Sequence, residues 1–171
     1  MLTECDLNGL VSVYEKYSRL FGLIDFHEKL LKHVMYKIGD LWAQGKIDIS
    51  TEHACTNAAN SLVKVINETI SKSNNKHHTL SNYKIMLCTL EGELLSLACN
   101  IIESILLSKG FRVYNISPSV PANSVIRFIN NIKPDFILIS ITLLENIKTT
   151  KRLIKEVRSR LKKPTDHGWQ R

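Results

Sequence analysis

Trp42 is followed, after nine intervening residues, by the pair Glu52-His53, within the run IGDLWAQGKIDISTEHACTNAANSLV. That spacing can set an aromatic plate, a carboxylate and an imidazole around one cavity at the mouth of a second domain. The same three residues also read more plainly, as a core aromatic, a helix-dipole carboxylate and a satisfied or solvated histidine. No nucleophile-and-base pairing occurs elsewhere, so catalysis by protein side chains is not expected.

The elements that carry these residues are helical. Leu7, Leu10, Val11, Tyr14, Tyr17 and Leu20 recur at helical spacing before a break at Gly22. From Asp25, read as an N-cap, the residues Phe26, Leu30, Leu31, Val34, Met35, Ile38, Leu41 and Trp42 trace a broad apolar face that Gly45 ends. A third helix is expected from Ser50, whose hydroxyl can cap free N–H groups, to about Ser71. Gly39 and Gly45 flank Trp42 and let another object approach the indole.

The polar stretch SKSNNKHHTLSN then reads as a linker, and beyond it the pattern changes. Lys84 to Thr89, Arg112 to Ile116 and Asp135 to Thr142 are short apolar runs suited to buried parallel strands. Helices predicted from Glu93 to Ser108, Pro121 to Ile132 and Asn146 to Leu161 complete a βαβαβα order, with helices on both faces and ligands expected at the carboxyl ends of the strands. Doubly wound sheets usually have more strands, and KKPTDHGWQR after Leu161 supplies none, so an open sheet edge is expected.

Composition narrows the function classes. The chain has 171 residues, 44% of them hydrophobic, and 23 Lys+Arg against 16 Asp+Glu give a net charge of +7, a bias toward acidic partners. Cys5, Cys55, Cys88 and Cys99 are scattered without a C-x-x-C pair, which argues against a disulfide framework or a structural zinc site. Neither a leader peptide nor a membrane span is visible, and a cytoplasmic location is expected.

The combination resembles the two-part cobalamin-binding module: a helical-bundle cap followed by a flavodoxin-like (Rossmann-like) α/β domain, here truncated to about three parallel strands. Its nearest likeness is to B12-dependent light-sensing transcriptional repressors, through G-D-L-W-x-x-G-K-I followed by E-H, and it covers roughly residues 7 to 163. The resemblance implies a cap over residues 1–73, a linker over 74–82, an incomplete B12-binding-like domain over 83–163 and a tail over 164–171. It places Trp42, Glu52 and His53 above the corrin ring of adenosylcobalamin or methylcobalamin. An indole can pack on a nucleoside or shield a cobalt-carbon bond, and a carboxylate can accept both hydrogen bonds of a ribose diol.

Below the ring such domains carry D-x-H-x-x-G, whose histidine ligates cobalt. Gly92-Glu93 matches the Gly-Glu dipeptide of the light-sensor branch, but the motif positions hold Glu93, Leu95 and Ala98. Leucine has no lone pair, so Leu95 cannot be the axial ligand. The resemblance further places Ser117 and Ser119 near the corrin amides, and Ser140 and Thr142 along the nucleotide tail. The Gly-Gly strand that the resemblance leads one to expect after KKP is not written in TDHGWQR.

These readings imply a cobalamin-binding sensor or regulatory module with weak or base-on binding. The alternatives are a corrinoid methyl carrier of a methyltransferase system, and a cofactor-free interaction protein with a decayed B12 site. A protein partner or a second copy would use the cap or the open sheet edge. No helix-turn-helix segment precedes the cap, so no DNA-binding domain is expected on this chain. His77-His78 read as solvated linker, Asp166-His167-Gly168 as tail, and the seven basic residues from Lys151 to Lys163 as the outer face of a helix packed through Leu153, Ile154, Val157 and Leu161.

Overall fold

The computed structural model describes residues 2–74 and 82–161. The stretch 75–81 with His77-His78, and the residues after Leu161 with Lys162, Lys163 and Asp166-His167-Gly168, lie outside the described residues.

The first half is helical. Helix α1 (Leu7–Phe21) starts at Asp6, whose carboxylate accepts the Gly9 N–H at 2.9 Å, and stops at Gly22, whose φ of 88° suits a residue without a Cβ. A short turn, α2 (Leu23–Asp25), runs into a π-helical segment (Phe26–Leu31) and then α3 (Lys32–Ala43). The helix therefore begins ahead of Asp25, which lies inside it and makes no side-chain cap. In the π-helical segment the Lys32 N–H reaches back to the His27 carbonyl, five residues away.

Helix α4 (Ile49–Asn74) is capped by Asp48 rather than Ser50: the Asp48 carboxylate accepts the Thr51 N–H at 2.7 Å and the Ser50 hydroxyl at 3.0 Å. Leu10, Phe26, Leu31, Ala59, Leu62, Val63 and Ile66 bury one core between these helices, with Tyr14 edge-on to Phe26 at 4.9 Å between ring centroids.

The second half is a three-stranded parallel sheet in the order β2-β1-β3. Strands β1 (Lys84–Thr89), β2 (Arg112–Asn115) and β3 (Phe136–Ser140) alternate with α5 (Leu97–Ser108), α6 (Ala122–Ile132) and α7 (Asn146–Leu161). β1 is central and buried because it pairs on both sides, Met86 facing Tyr114 on one neighbour and Ile137 on the other. Ile85 and Leu87 pack under α5, while Met86, Cys88 and Leu90 pack under α6 and α7. In α7 Leu153 is buried and Val157 joins that core, while Lys151, Arg152, Lys155 and Arg158 face outward.

Burial pushes the Cys88 thiol up to about 12, with Cys99 beside it adding to the shift. Among the described residues β3 pairs only with β1, leaving its outer edge open, and Phe136 on it is exposed beside Tyr83. No described helix is long and apolar enough to cross a membrane.

A polar seam fixes the cap to the sheet. The Asn67 amide donates to the Asn100 carbonyl at 3.0 Å and to the Glu103 carboxylate at 3.2 Å, and its oxygen accepts from Ser104. Asn100 donates to Asn60 at 2.9 Å and accepts from Asn115 at 2.9 Å, which carries the seam from α4 through α5 to β2. Asn67, Asn100 and Ser104 are all buried, so each partner lost leaves an unsatisfied group. Asn67→Ala is expected to lower the unfolding free energy by about 1–3 kcal/mol in a denaturant titration. An unchanged midpoint would show that the seam does not hold the cap.

Candidate functional site

One helix face of the cap looks onto the carboxyl ends of the strands. His27, Leu31 and Met35 recur every four residues, and Glu28, Lys32 and Tyr36 repeat the spacing one place on, so the π-helical segment and α3 present a continuous wall. Across from it stand Glu52 and Thr56 of α4, Leu95, Ala98 and Ile101 at the start of α5, and Thr142 after β3. They enclose a cleft of about 460 Å³, within the range of small-molecule sites. The loops after β1 and β3 are apolar and solvated: Leu94, Leu95, Leu143 and Leu144 are exposed on them, and Leu95 lines the cleft.

Glu52 is the carboxylate of the cleft. It accepts the Thr56 hydroxyl at 2.8 Å and the His53 Nδ1 proton at 2.6 Å. Burial would push its carboxyl up, but the hydrogen bonds from Thr56 and His53, with the imidazole's charge, outweigh it and hold the group below its ordinary value. His53 itself points to solvent, so it positions Glu52 from outside. Trp42, 48% exposed at the end of α3, is not among the residues lining the cleft.

The Gly92-Glu93 loop is organised by a buried charge. Glu93 is 1% exposed, and its carboxylate accepts the Thr142 N–H at 3.0 Å, the Leu143 N–H at 2.8 Å, the Asn146 amide at 3.1 Å and the Thr142 hydroxyl. Burial would raise its pKa, yet these donors together hold the group below the ordinary value of 4.5. Glu93 thus clasps the loop after β1 to the loop after β3. The clasp also explains why α5 starts at Leu97 and not at Glu93: the intervening residues are drawn across the strand ends.

Gly92 adopts a φ of +92°, where side chains are strained, and its N–H donates to the Ser119 hydroxyl at 3.2 Å. The Ser119 N–H in turn donates to Thr89 at 2.9 Å. The Ser117 hydroxyl donates to Asn115 at 2.6 Å. Ser140 lies at the end of β3 on a separate cavity of about 310 Å³ with Leu87, Cys99 and Leu138.

Of the residues singled out in the sequence, Glu52, Leu95 and Thr142 line the cleft and Glu93 braces it from behind. Trp42, His53, Gly92, Ser117 and Ser140 are not among its lining residues. His27, Asn146 and Thr89 carry no sequence signal: Asn146 donates to Glu93, 53 residues away, Thr89 accepts from Ser119, 30 residues away, and His27 is distinguished only by its burial. His27 is 1% exposed, and neither ring nitrogen has a hydrogen-bond partner. Burial lowers its pKa to about 4, against the opposing pull of Glu28, so the imidazole is neutral at neutral pH.

A helical cap laid over the carboxyl ends of a parallel α/β sheet, with a cleft between them, defines the class of module. A B12 binding domain family matches residues 83–165, and a second B12 binding domain family matches residues 1–67. The chain belongs to the B12-binding family, as a cobalamin-binding module with a helical cap.

It is 27% identical over 134 residues to the trimethylamine corrinoid protein of Methanosarcina barkeri, covering 76% of this chain and 61% of that protein. The trimethylamine corrinoid protein 1 of Methanosarcina mazei matches with the same identity and coverage. The chain therefore spans about 61% of the length of these curated relatives. The crystal structure of a cobalamin-binding protein from Desulfitobacterium hafniense aligns with a TM-score of 0.45 and 17% identity, over 93% of this chain and 74% of that one.

The cleft fits a corrinoid in part. Its walls are largely apolar, Glu52 offers acceptors, and the two orphaned nitrogens of His27 offer a buried polar contact. The loop after β1 offers no imidazole: Leu95, which has no lone pair, stands 53% exposed on the lip. Reactivity at cobalt is what the cofactor supplies when bound, while the chain's own groups shape, orient and shelter the site.

Proposed function

We propose that this chain is a regulatory cobalamin-binding module that holds the cofactor base-on, or without a protein ligand below cobalt, and more weakly than relatives bearing the histidine. The observation that carries the reading is Leu95 on the lip of the cleft between cap and strand ends. The residues proposed to border the ring from above are Glu52, positioned by His53, with Trp42 at the end of α3. Below it stand Leu95 and Thr142, held by Gly92 and Glu93, with Ser117 toward the corrin amides and Ser140 toward the tail. Adenosylcobalamin or methylcobalamin is the form expected.

In this reading the ligand acts through the cap. Saturating adenosylcobalamin is expected to change amide hydrogen exchange along α3 and the first turns of α4. Bound ligand with unchanged exchange there would contradict a regulatory role.

A second reading, a corrinoid methyl carrier, is favoured by the relatives named as trimethylamine corrinoid proteins. Leu95 weighs against it. Methylation of bound cob(I)alamin by a corrinoid methyltransferase would establish it.

A further inference from the structure

Among the described residues, the only buried side-chain nitrogens or oxygens without a hydrogen-bond partner are Nδ1 and Nε2 of His27. Buried polar groups almost always find partners, so two orphans on one ring need a reason. The ring belongs to the π-helical segment, a distortion often found where a helix must serve a site, and it lines the cleft beside apolar Leu31 and Met35. Neither neighbour can donate or accept a hydrogen bond, whereas a ligand entering the cleft can.

We propose that His27 is a cofactor-contacting residue that receives a primary amide from the rim of the corrin. The inference rests on the cobalamin reading of the cleft. The two ring nitrogens point to opposite sides of the imidazole, so one amide meets one of them, and because it carries both a donor and an acceptor it suits that nitrogen in either tautomer. A carboxylate matches such a nitrogen only when it carries the proton, and an ammonium only when it does not. The corrin rim carries acetamide and propionamide groups, so the chemistry of the orphaned ring and of the ligand agree. His27 then discriminates between corrinoids by their peripheral groups, not by the ligand on cobalt.

The test compares the full chain with His27→Phe, which keeps a flat ring of similar size, and His27→Gln, which keeps a donor and an acceptor. Calorimetric titration with hydroxocobalamin is expected to show about tenfold weaker binding for His27→Phe. His27→Gln is expected to recover most of the loss, and the visible bands of the bound cofactor stay the same in all three proteins. Without ligand, the thermal midpoint of His27→Phe is expected to rise by about 2–4 °C, because an unsatisfied buried group has been removed.

Nitrogen NMR of the unaltered chain gives an independent readout, since the His27 ring resonances must move when cobalamin is added. Equal affinity for the chain and His27→Phe, or unmoved ring resonances in the bound state, would overturn the role of His27 and leave the cobalamin reading standing. A change in the cobalt bands confined to His27→Phe would also overturn it, by making the ring an axial ligand. No binding by the unaltered chain would overturn both.

Discussion

Glu93→Ala is expected to cost about 3 kcal/mol or more in unfolding free energy, the largest loss from any single side chain near the cleft. The reason is the number of donors stranded: the Thr142 and Leu143 N–H groups, the Asn146 amide and the Thr142 hydroxyl all lose their acceptor. The loops after β1 and β3 would part, and with them the floor beneath Leu95 and Thr142.

The same clasp gives a pH dependence. Because the folded-state pKa is lowered, the stabilisation is fully present above the ordinary value of 4.5 and is lost as pH falls through the folded value. Denaturant titrations at pH 7 and in that acid range should show a steeper loss in the unaltered chain than in Glu93→Ala. Parallel pH profiles would show that the carboxylate is not the group responsible.

Leu95→His is expected to have the largest effect on cofactor binding. The position is 53% exposed on the lip of the cleft, so an imidazole can be placed there with little cost to any core. If the loop after β1 forms the lower wall, the new nitrogen meets cobalt and affinity for hydroxocobalamin rises by about tenfold or more, with bands typical of histidine ligation. Pairing it with Ala98→Gly removes the methyl that narrows the approach and should add to the gain. Unchanged affinity and bands in both variants would move the corrin away from this loop.

The strands were the most legible part of the chain, because buried parallel strands are written as unbroken apolar runs: KIMLCT is β1 residue for residue. The start of α5 was less so, since the segment from Glu93 is withheld from the helix by donors 49 to 53 residues away. No local pattern announces partners at that distance. The π-helical segment was equally hidden, because one extra residue in a turn leaves the apolar recurrence of Phe26, Leu30 and Leu31 intact.

Within the site, Glu52 and Leu95 line the cleft between the cap and the strand ends. Trp42 does not line it, because α3 carries the indole to the helix end, beyond the wall formed by His27, Leu31 and Met35. His27 was invisible for a different reason: a histidine after Phe26 in an apolar helix looks ordinary until both ring nitrogens are seen buried and alone.

The most direct measurement is equilibrium dialysis of the purified chain against adenosyl-, methyl- and hydroxocobalamin, with the absorbance spectrum of the bound fraction recorded. The expected result is saturable uptake with the base-on spectrum of the free cofactor retained. Either the shift that marks histidine ligation in the unaltered chain, or no binding at any concentration, would contradict a cobalamin module whose lower ligand has been replaced by Leu95.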